Sequence, residues 1–445
     1  MNMIGLLGII VSMILLILLV YKGMSNIYVA PVCALLVMIT NGLPLLSTFK
    51  ESYLGGIANW MSVGFAYAVL GALFGKIYEK TGAAQTVGRY LLNKLASDQD
   101  VSQSRMVLLG LIVMNAVSVL LTWTGVSGIV VMMATIPIAF SIARTANIPR
   151  EFIPAILMNG GTIAAQAAPG APSIGNLTAS SILGTSATAA LIPGLVNMAI
   201  VIVLGIIYMH KVIMRAIRAG RTFEEMDRDT VEQNTNRQYP NFFLALIPLA
   251  VIFLFFVIFS LDITICLTAG ILIAVLLLTR YLPNKGVKEV FGMLNDGISS
   301  GCVVFFQLAS LMGFATVLQE SSAFTDIMDA VAGMNGNPLV VGTLAVVVFV
   351  LLTTSPPAAV QLGLPMVLPS VESGALAAGA IHRTAVIATT TFECMPYTGA
   401  AIISMASAGV SFKEGYKHVA VCNIAISIFS TAVTTLILVL FPGLA

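Results

Sequence analysis

Long apolar runs, separated by short polar interruptions, fill most of the chain. Residues 3–21 (MIGLLGIIVSMILLILLVY) and 242–261 (FFLALIPLAVIFLFFVIFSL) are long enough to cross a hydrocarbon core of about 30 Å as helix. In the first half, full crossings are expected near 3–21, 27–46, 55–78, 151–183 and 187–210. Residues 105–143 read as two apolar segments joined by a polar tip around Thr122–Gly128. The pattern predicts an all-α polytopic membrane protein.

Several runs are broken within the apolar zone. LTTSPPAAVQLGLP, residues 352–365, places Pro356 and Pro357 at the head of an apolar stretch. Inside a helix, proline loses a hydrogen bond and clashes with the preceding turn, at about 3 kcal/mol. At the first helical position its missing N–H costs nothing, and Thr354 or Ser355 can cap it. TTSPP therefore predicts a helix start at membrane depth, leaving free N–H groups and a partial positive charge. TWTGVSG repeats the device in the first half with glycines. Residues 105–143 and 339–370 thus read as re-entrant hairpins. Two further spans are interrupted: AQAAPGAPSIGN carries Pro169, Gly170, Pro172 and Gly175, and ECMPYTG carries Pro396 and Gly399. These define broken helices over 151–183 and 384–408. One such kink in a membrane helix is commonly only packing. Four at matching places point to a site, since irregular backbone at depth needs protein or a polar cavity around it.

The matching places come from an internal repeat. KIYEKTGA (76–83) parallels TVLQESSA (316–323), and LTWTGVSGIVVMMATIP (121–137) parallels LTTSPPAAVQLGLP. GTIAAQAAPGAPSIGN (161–176) parallels ATTTFECMPYTGAA (388–401), and LGTSATA (183–189) parallels AGVSFKE (408–414). The order is the same in both halves. Five crossings per half, an odd number, would set the halves in opposite orientations, as in many secondary transporters. The expected units are a first membrane repeat (1–210), a linker (211–240) and a second membrane repeat (241–445).

Composition and charge sharpen this. Hydrophobic residues make up 58% of 445 and charged residues 9%, with a mean hydropathy of +1.00; soluble domains carry about 25% charged residues. The charged stretch 210–240 reads as a solvated linker. With the amino terminus outside, only Lys50 and Arg383 of the 21 Lys and Arg residues fall outside. That orientation puts both termini outside, the linker in the cytoplasm and the protein in a bacterial-type inner membrane. The first span lacks a basic leader and a cleavage motif, and reads as a retained helix. The five cysteines are scattered as packing residues. The net charge of +2 gives no basis for a nucleic-acid partner.

Small polar residues crowd the breaks. The candidate substrate-binding set is Thr122, Thr124 and Ser127 at the first tip, and Asn159, Thr162, Gln166, Ser173 and Asn176 along the first broken helix. Thr353, Thr354 and Ser355 at the second tip join Thr390, Thr391, Tyr397 and Thr398 on the second broken helix. Convergence near the midplane would offer helix N-termini to an anion and free carbonyls to a cation. Glu393 is the acid placed near mid-depth, at about 2.5–3.5 kcal/mol or more when charged, which makes it the candidate proton-coupling carboxylate; a structural, hydrogen-bonded acid is the plain alternative. Gln166 holds its matching position, and Asp296 is placed nearer the inner interface. His382 and Arg383 read as a solvated helix end that could steer an anion. His210, His382 and His418 are too dispersed for a metal site, and no cofactor is expected. GALFGKI (71–77) is too short for a phosphate loop and has Ile77 where Ser or Thr is needed.

AAPGAPSIGN followed by LGTSATAALIPGLV, in a permease of this length, resembles the gluconate:proton symporter (GntP-type permease) family and its relatives in the ion transporter superfamily. The likeness covers essentially the whole chain, and its specific part is the proline-glycine cluster. It implies uptake of small sugar-acid or hydroxy-carboxylate anions with protons. It also implies a homodimer whose transport domain, built from the hairpins and broken helices, moves as an elevator against a scaffold. Sugar-acid members carry a histidine between the clustered prolines, where this chain has Gly170-Ala171-Pro172. The Ser-Asn-Thr hairpin signature of dicarboxylate carriers is replaced by TWTGVSG and TTSPP. The resemblance therefore carries over the place of the site and leaves the substrate open.

The main expectation is proton-coupled symport of a small organic anion. Cation/proton antiport on the same scaffold, with Glu393 as the exchanging acid, is the alternative, and a sodium-coupled carboxylate carrier a further one. No Ser-His, Asp-Asp or HExxH set supports an enzyme. Paired hairpins facing opposite ways suit alternating access better than a fixed channel.

Overall fold

The computed structural model describes residues 3–22, 24–83, 86–87, 90, 102–123, 128–171, 173–224, 238–257, 259, 261, 263–283 and 286–445. The described residues form helices and turns without strands. The first half contains α1 (Met3–Tyr21), α2 (Asn26–Thr40), α3 (Leu54–Thr81), α4 (Gln103–Trp123) and α5 (Gly128–Thr145). It continues with α6 (Ile153–Met158), a π turn (Asn159–Ala165), α7 (Ile174–Leu183) and α8 (Leu191–Arg218). The second half contains α9 (Phe242–Val257), α10 (Ile263–Leu278), α11 (Val287–Glu320), α12 (Ser322–Ala332), α13 (Pro338–Thr353) and α14 (Pro356–Gly363). It ends with α15 (Ala378–Ala388), α16 (Gly399–Ala408), α17 (Phe412–Val419), a π turn (Ala420–Ala425) and α18 (Ile426–Leu440). Among the described residues, six helical stretches are long and apolar enough to cross a membrane.

Backbone preferences account for the punctuation. Ser25, Ser173, Ser321, Asn337 and Thr398 cap helices by accepting a backbone N–H two or three residues on. Gly82, Gly184 and Gly409 end helices in the left-handed region. α8 runs to Arg218, two turns beyond the crossing expected at 187–210, so the start of the charged stretch is helical. α4, at 21 residues, spans about 31 Å, the reach of a full crossing rather than half of one. α14 has eight residues and runs on without a gap through a 3-10 turn (Leu364–Val367) and a short helix (Leu368–Glu372), so this return arm is close in length to the 18 residues of α5.

The helices pack as two interlocked sets. α3 and α11 lie along each other, α2 packs on α11, α10 on α3, α1 on α2 and α9 on α10. An added Cβ at Gly313 would stand 2.5 Å from the Tyr53 carbonyl oxygen, so this approach requires glycine. In the other set, α14 and α15 both pack on α7, α16 packs on α5 and α6, and α8 on α18. Each half's broken helix is thus held by elements of the other half.

Two large apolar cores are present among the described residues, and the breaks lie where one gives way to the other. α6 and its π turn contribute Ile156, Ile163 and Ala165 to the first core, while Ala167 and Ala179 belong to the second. Break two runs the opposite way: Ala385 and Ala388 lie in the second core, Ala401 and Met405 in the first. The long helices follow suit. α3 leads from Tyr53 in the second core to Phe74 in the first, and α11 from Met293 in the first to Leu318 in the second. α8 starts after Ala190 in the second core and carries Met209 in the first, whereas Cys422 before α18 lies in the first and Leu438 in the second.

Candidate functional site

Break one begins where the Asn159–Ala165 π turn loosens the helix and ends where Ser173 caps α7. Gly170 takes φ +77°, a conformation that favours glycine, and its N–H reaches the Ala187 carbonyl at 2.9 Å. Asn176 fastens the turn: its Nδ2 donates to the carbonyls of Ala168 at 3.1 Å and Ala171 at 3.0 Å. Its Oδ1 accepts from Arg383 Nη1 at 3.1 Å and His382 Nε2 at 3.2 Å. Every polar atom of this candidate side chain is therefore engaged inside the protein.

Arg383 and His382 are fully buried, which corrects their reading as a solvated helix end. Arg383 Nε donates to the Ala189 carbonyl at 3.0 Å, and Nη1 also to Ala167 at 3.0 Å. Nη2 donates to Ala187 at 2.7 Å and Ala189 at 2.9 Å. All five guanidinium hydrogens are used, and every acceptor is a neutral oxygen. The Thr185 hydroxyl bonds His382 Nδ1 at 2.6 Å. The local sequence GAIHRTAV hides this arrangement, because the acceptors come from the other half of the chain.

Break two joins α15 to α16 through turns at 389–398. Thr390 and Thr391 turn their hydroxyls back to the carbonyls of Ile387 and Ala388, both at 2.7 Å, and Thr390 also meets Ser427 Oγ at 2.6 Å. Thr398 caps α16, accepting from Ala401 N at 3.5 Å. The Tyr397 hydroxyl donates to the Leu351 carbonyl at 2.8 Å, tying the break to α13.

The two breaks meet at one polar contact, where Gln166 Nε2 donates to Glu393 Oε1 at 3.1 Å. Glu393 Oε2 is buried without a hydrogen-bond partner. A buried acceptor left unmatched carries a desolvation cost of about 1–3 kcal/mol, and more when charged. A carboxyl group removes that cost by taking a proton or by meeting a donor on a ligand.

Other unmatched hydroxyls lie by the breaks. Thr122 Oγ1 and Ser118 Oγ are buried without partners, four residues apart on one face of α4. Both face Gly161 in the π turn, where an added Cβ would sit 3.3 Å from Thr122 Oγ1 and 3.6 Å from Ser118 Cβ. Ser118 was not among the expected residues, although its spacing from Thr122 was the available signal. Asn159 donates to Asn115 Oδ1 at 3.1 Å, and the Thr162 hydroxyl lies 4.0 Å from Met132 Sδ. Thr124, Ser127 and Pro172 lie outside the described residues.

At the second tip, Thr353 Oγ1 donates to the Phe349 carbonyl at 2.7 Å. Thr354 is left-handed at φ 55°, and its buried hydroxyl has no partner. Ser355 stands at the N-cap without a side-chain capping bond, and Pro356 opens α14. Neither Pro356 nor Pro357 has an N–H, and the Ser355 N–H reaches Thr353 Oγ1 at 3.4 Å. The tip consequently offers an anion fewer backbone donors than an ordinary helix start. Asp296 is exposed on α11, apart from both breaks. No cluster of three or more metal-ligating side chains occurs among the described residues.

A sequence profile described as GntP family permease matches residues 4–440. The chain is 24% identical over 467 residues to the uncharacterized transporter YxjC of Bacillus subtilis (strain 168), covering 95% of each protein. A solved structure of Neisseria gonorrhoeae MtrF, described as illuminating a class of antimetabolite efflux pumps, aligns over 88% of this chain and 84% of its own at 15% identity. Its TM-score of 0.32 is too low to relate the two arrangements.

Proposed function

The chain belongs to the GntP family of permeases, and we propose on that premise that it is a secondary active transporter carrying a small organic anion together with protons. Family membership makes it a multi-pass membrane transporter; the cargo, coupling and motion are our reading. The substrate class is a sugar acid or hydroxy-carboxylate, and Glu393 is the proton-coupling group. The observation that carries the proposal is the Gln166–Glu393 contact, where the two breaks meet around a buried carboxyl oxygen with no partner.

Opposed halves and an elevator motion belong to the same reading. The opposite passage of matched helices between the two cores supports inverted repeats. The α1–α3 and α9–α11 set would form the scaffold of a homodimer, and the set holding both breaks would move against it. Residues 211–240 would lie in the cytoplasm and both termini outside, in an inner membrane.

Proteoliposomes containing a pH-sensitive dye test the coupling. With a panel of sugar acids and hydroxy acids, one class should be taken up down an imposed proton gradient, unaffected when choline replaces sodium. Glu393→Gln should abolish gradient-driven uptake and retain exchange of labelled for unlabelled substrate. Unchanged gradient-driven uptake in that variant removes Glu393 from the mechanism.

Cation/proton antiport has its own supporting observation: Arg383 is fully engaged, and the double proline limits donors for an anion. Proton release on adding sodium or potassium, with no organic anion present, would favour that reading. Sodium-dependent anion uptake would instead indicate a sodium-coupled carboxylate carrier.

A further inference from the structure

A cavity of about 550 Å³ opens between the two helix sets, away from the contact between the breaks. The first set contributes the α1–α2 turn and Gln307 of α11. The second contributes α16 and the start of α17. Lys22 from the first set and Lys413 from the second, both exposed, line it.

Its chemistry is divided. Val20, Ile402, Met405 and Phe412 provide an apolar wall. Asn26, also on the lining, is only 2% exposed, and its Oδ1 is buried with no hydrogen-bond partner. The nearby Glu414 carboxylate closes a capping box, accepting from Ser411 N at 3.1 Å and Ser411 Oγ at 2.6 Å, and makes no salt bridge with Lys22 or Lys413 among the described residues.

We propose that this cavity is a binding site for an anionic phospholipid of the phosphatidylglycerol class. The lysines meet the phosphate, Asn26 Oδ1 accepts from a headgroup hydroxyl, and the apolar wall receives the start of an acyl chain. Basic pockets between membrane helices recognise anionic headgroups by this combination of charge and apolar contact. A free phosphate would satisfy the lysines and leave the apolar wall uncovered. Charge and the apolar wall together therefore select the lipid. One molecule seated there touches both helix sets and links them.

The test uses the full chain in nanodiscs of phosphatidylcholine, of phosphatidylcholine with phosphatidylglycerol, and of phosphatidylcholine with inorganic phosphate in solution. Phosphatidylglycerol should raise the melting temperature by about 3 °C, as a ligand of the folded state does when well above its Kd. The Lys22→Gln/Lys413→Gln double variant should lose most of that shift. Phosphatidylglycerol retained through purification, counted by native mass spectrometry, should fall at least ~2-fold in that variant, in line with loss of charge complementarity. Asn26→Leu should retain less phosphatidylglycerol as well. Equal stability in the two lipid mixtures, an undiminished shift in the double variant, or reproduction of the shift by inorganic phosphate would each overturn the proposal.

Discussion

Arg383 and Glu393 belong to the same broken helix and stand in opposite states of satisfaction. Arg383 spends all five of its donors on neutral oxygens from break one and the 187–189 segment. Glu393 has one bond, from Gln166, and one bare oxygen. Both are ionisable groups placed where burial is costly. The difference separates two uses of buried polarity. A group with every valence filled holds backbone in a shape that helix bonds cannot maintain. A group left short has capacity for something that comes and goes.

The largest expected effect tests the filled side. Arg383→Met strips donors from the carbonyls of Ala167, Ala187 and Ala189 and from Asn176 Oδ1. It should cost at least about 3 kcal/mol, read as a drop in melting temperature or loss of monodisperse protein. If Arg383→Met instead melts like the parent, the knot is not what holds the break. Asn176→Leu removes the amide but leaves the guanidinium its other carbonyls, and should cost about 2 kcal/mol in the same assay. Tyr397→Phe deletes the single bond to the Leu351 carbonyl, an expected loss of about 1 kcal/mol.

The smallest stability effect should belong to Glu393→Gln. It keeps the side chain's shape and one bond toward Gln166, and should melt within about 0.5 kcal/mol of the parent. A loss as large as that of Arg383→Met would make Glu393 a fastening residue and erase the distinction. In transport the order reverses, since this variant should lose gradient-driven uptake while folding normally.

Sequence made the breaks legible because proline, glycine and small polar residues punctuate helices by local mechanisms. The start of α14 at Pro356 required only local geometry, whereas Ser173, read as a binding residue, is the cap of α7. The matching places of Gln166 and Glu393 could also be read from the chain, and the structure sets them 3.1 Å apart. What could not be read depends on distant partners. Arg383 lies beside an apparent loop in the sequence, and only Asn176 and the 187–189 carbonyls, far earlier in the chain, make it an interior residue. The back-bonded hydroxyls of Thr390 and Thr391 were equally hidden, because a threonine in a helix can face its own carbonyls or an open cleft. The π turns follow no residue pattern comparable to proline or glycine, and arise where α6 and α17 are packed against neighbours.

The paired prolines that open α14 bear on hydration. An ordinary helix start carries four amide hydrogens without intrahelical partners, and water normally attends them. Here two are chemically absent, and that of Ser355 turns to Thr353 Oγ1. A helix can therefore begin among apolar neighbours without bringing a cluster of solvent molecules with it. In a membrane transporter, a helix start with so few free amide hydrogens nucleates little of the water along which ions and protons would slip.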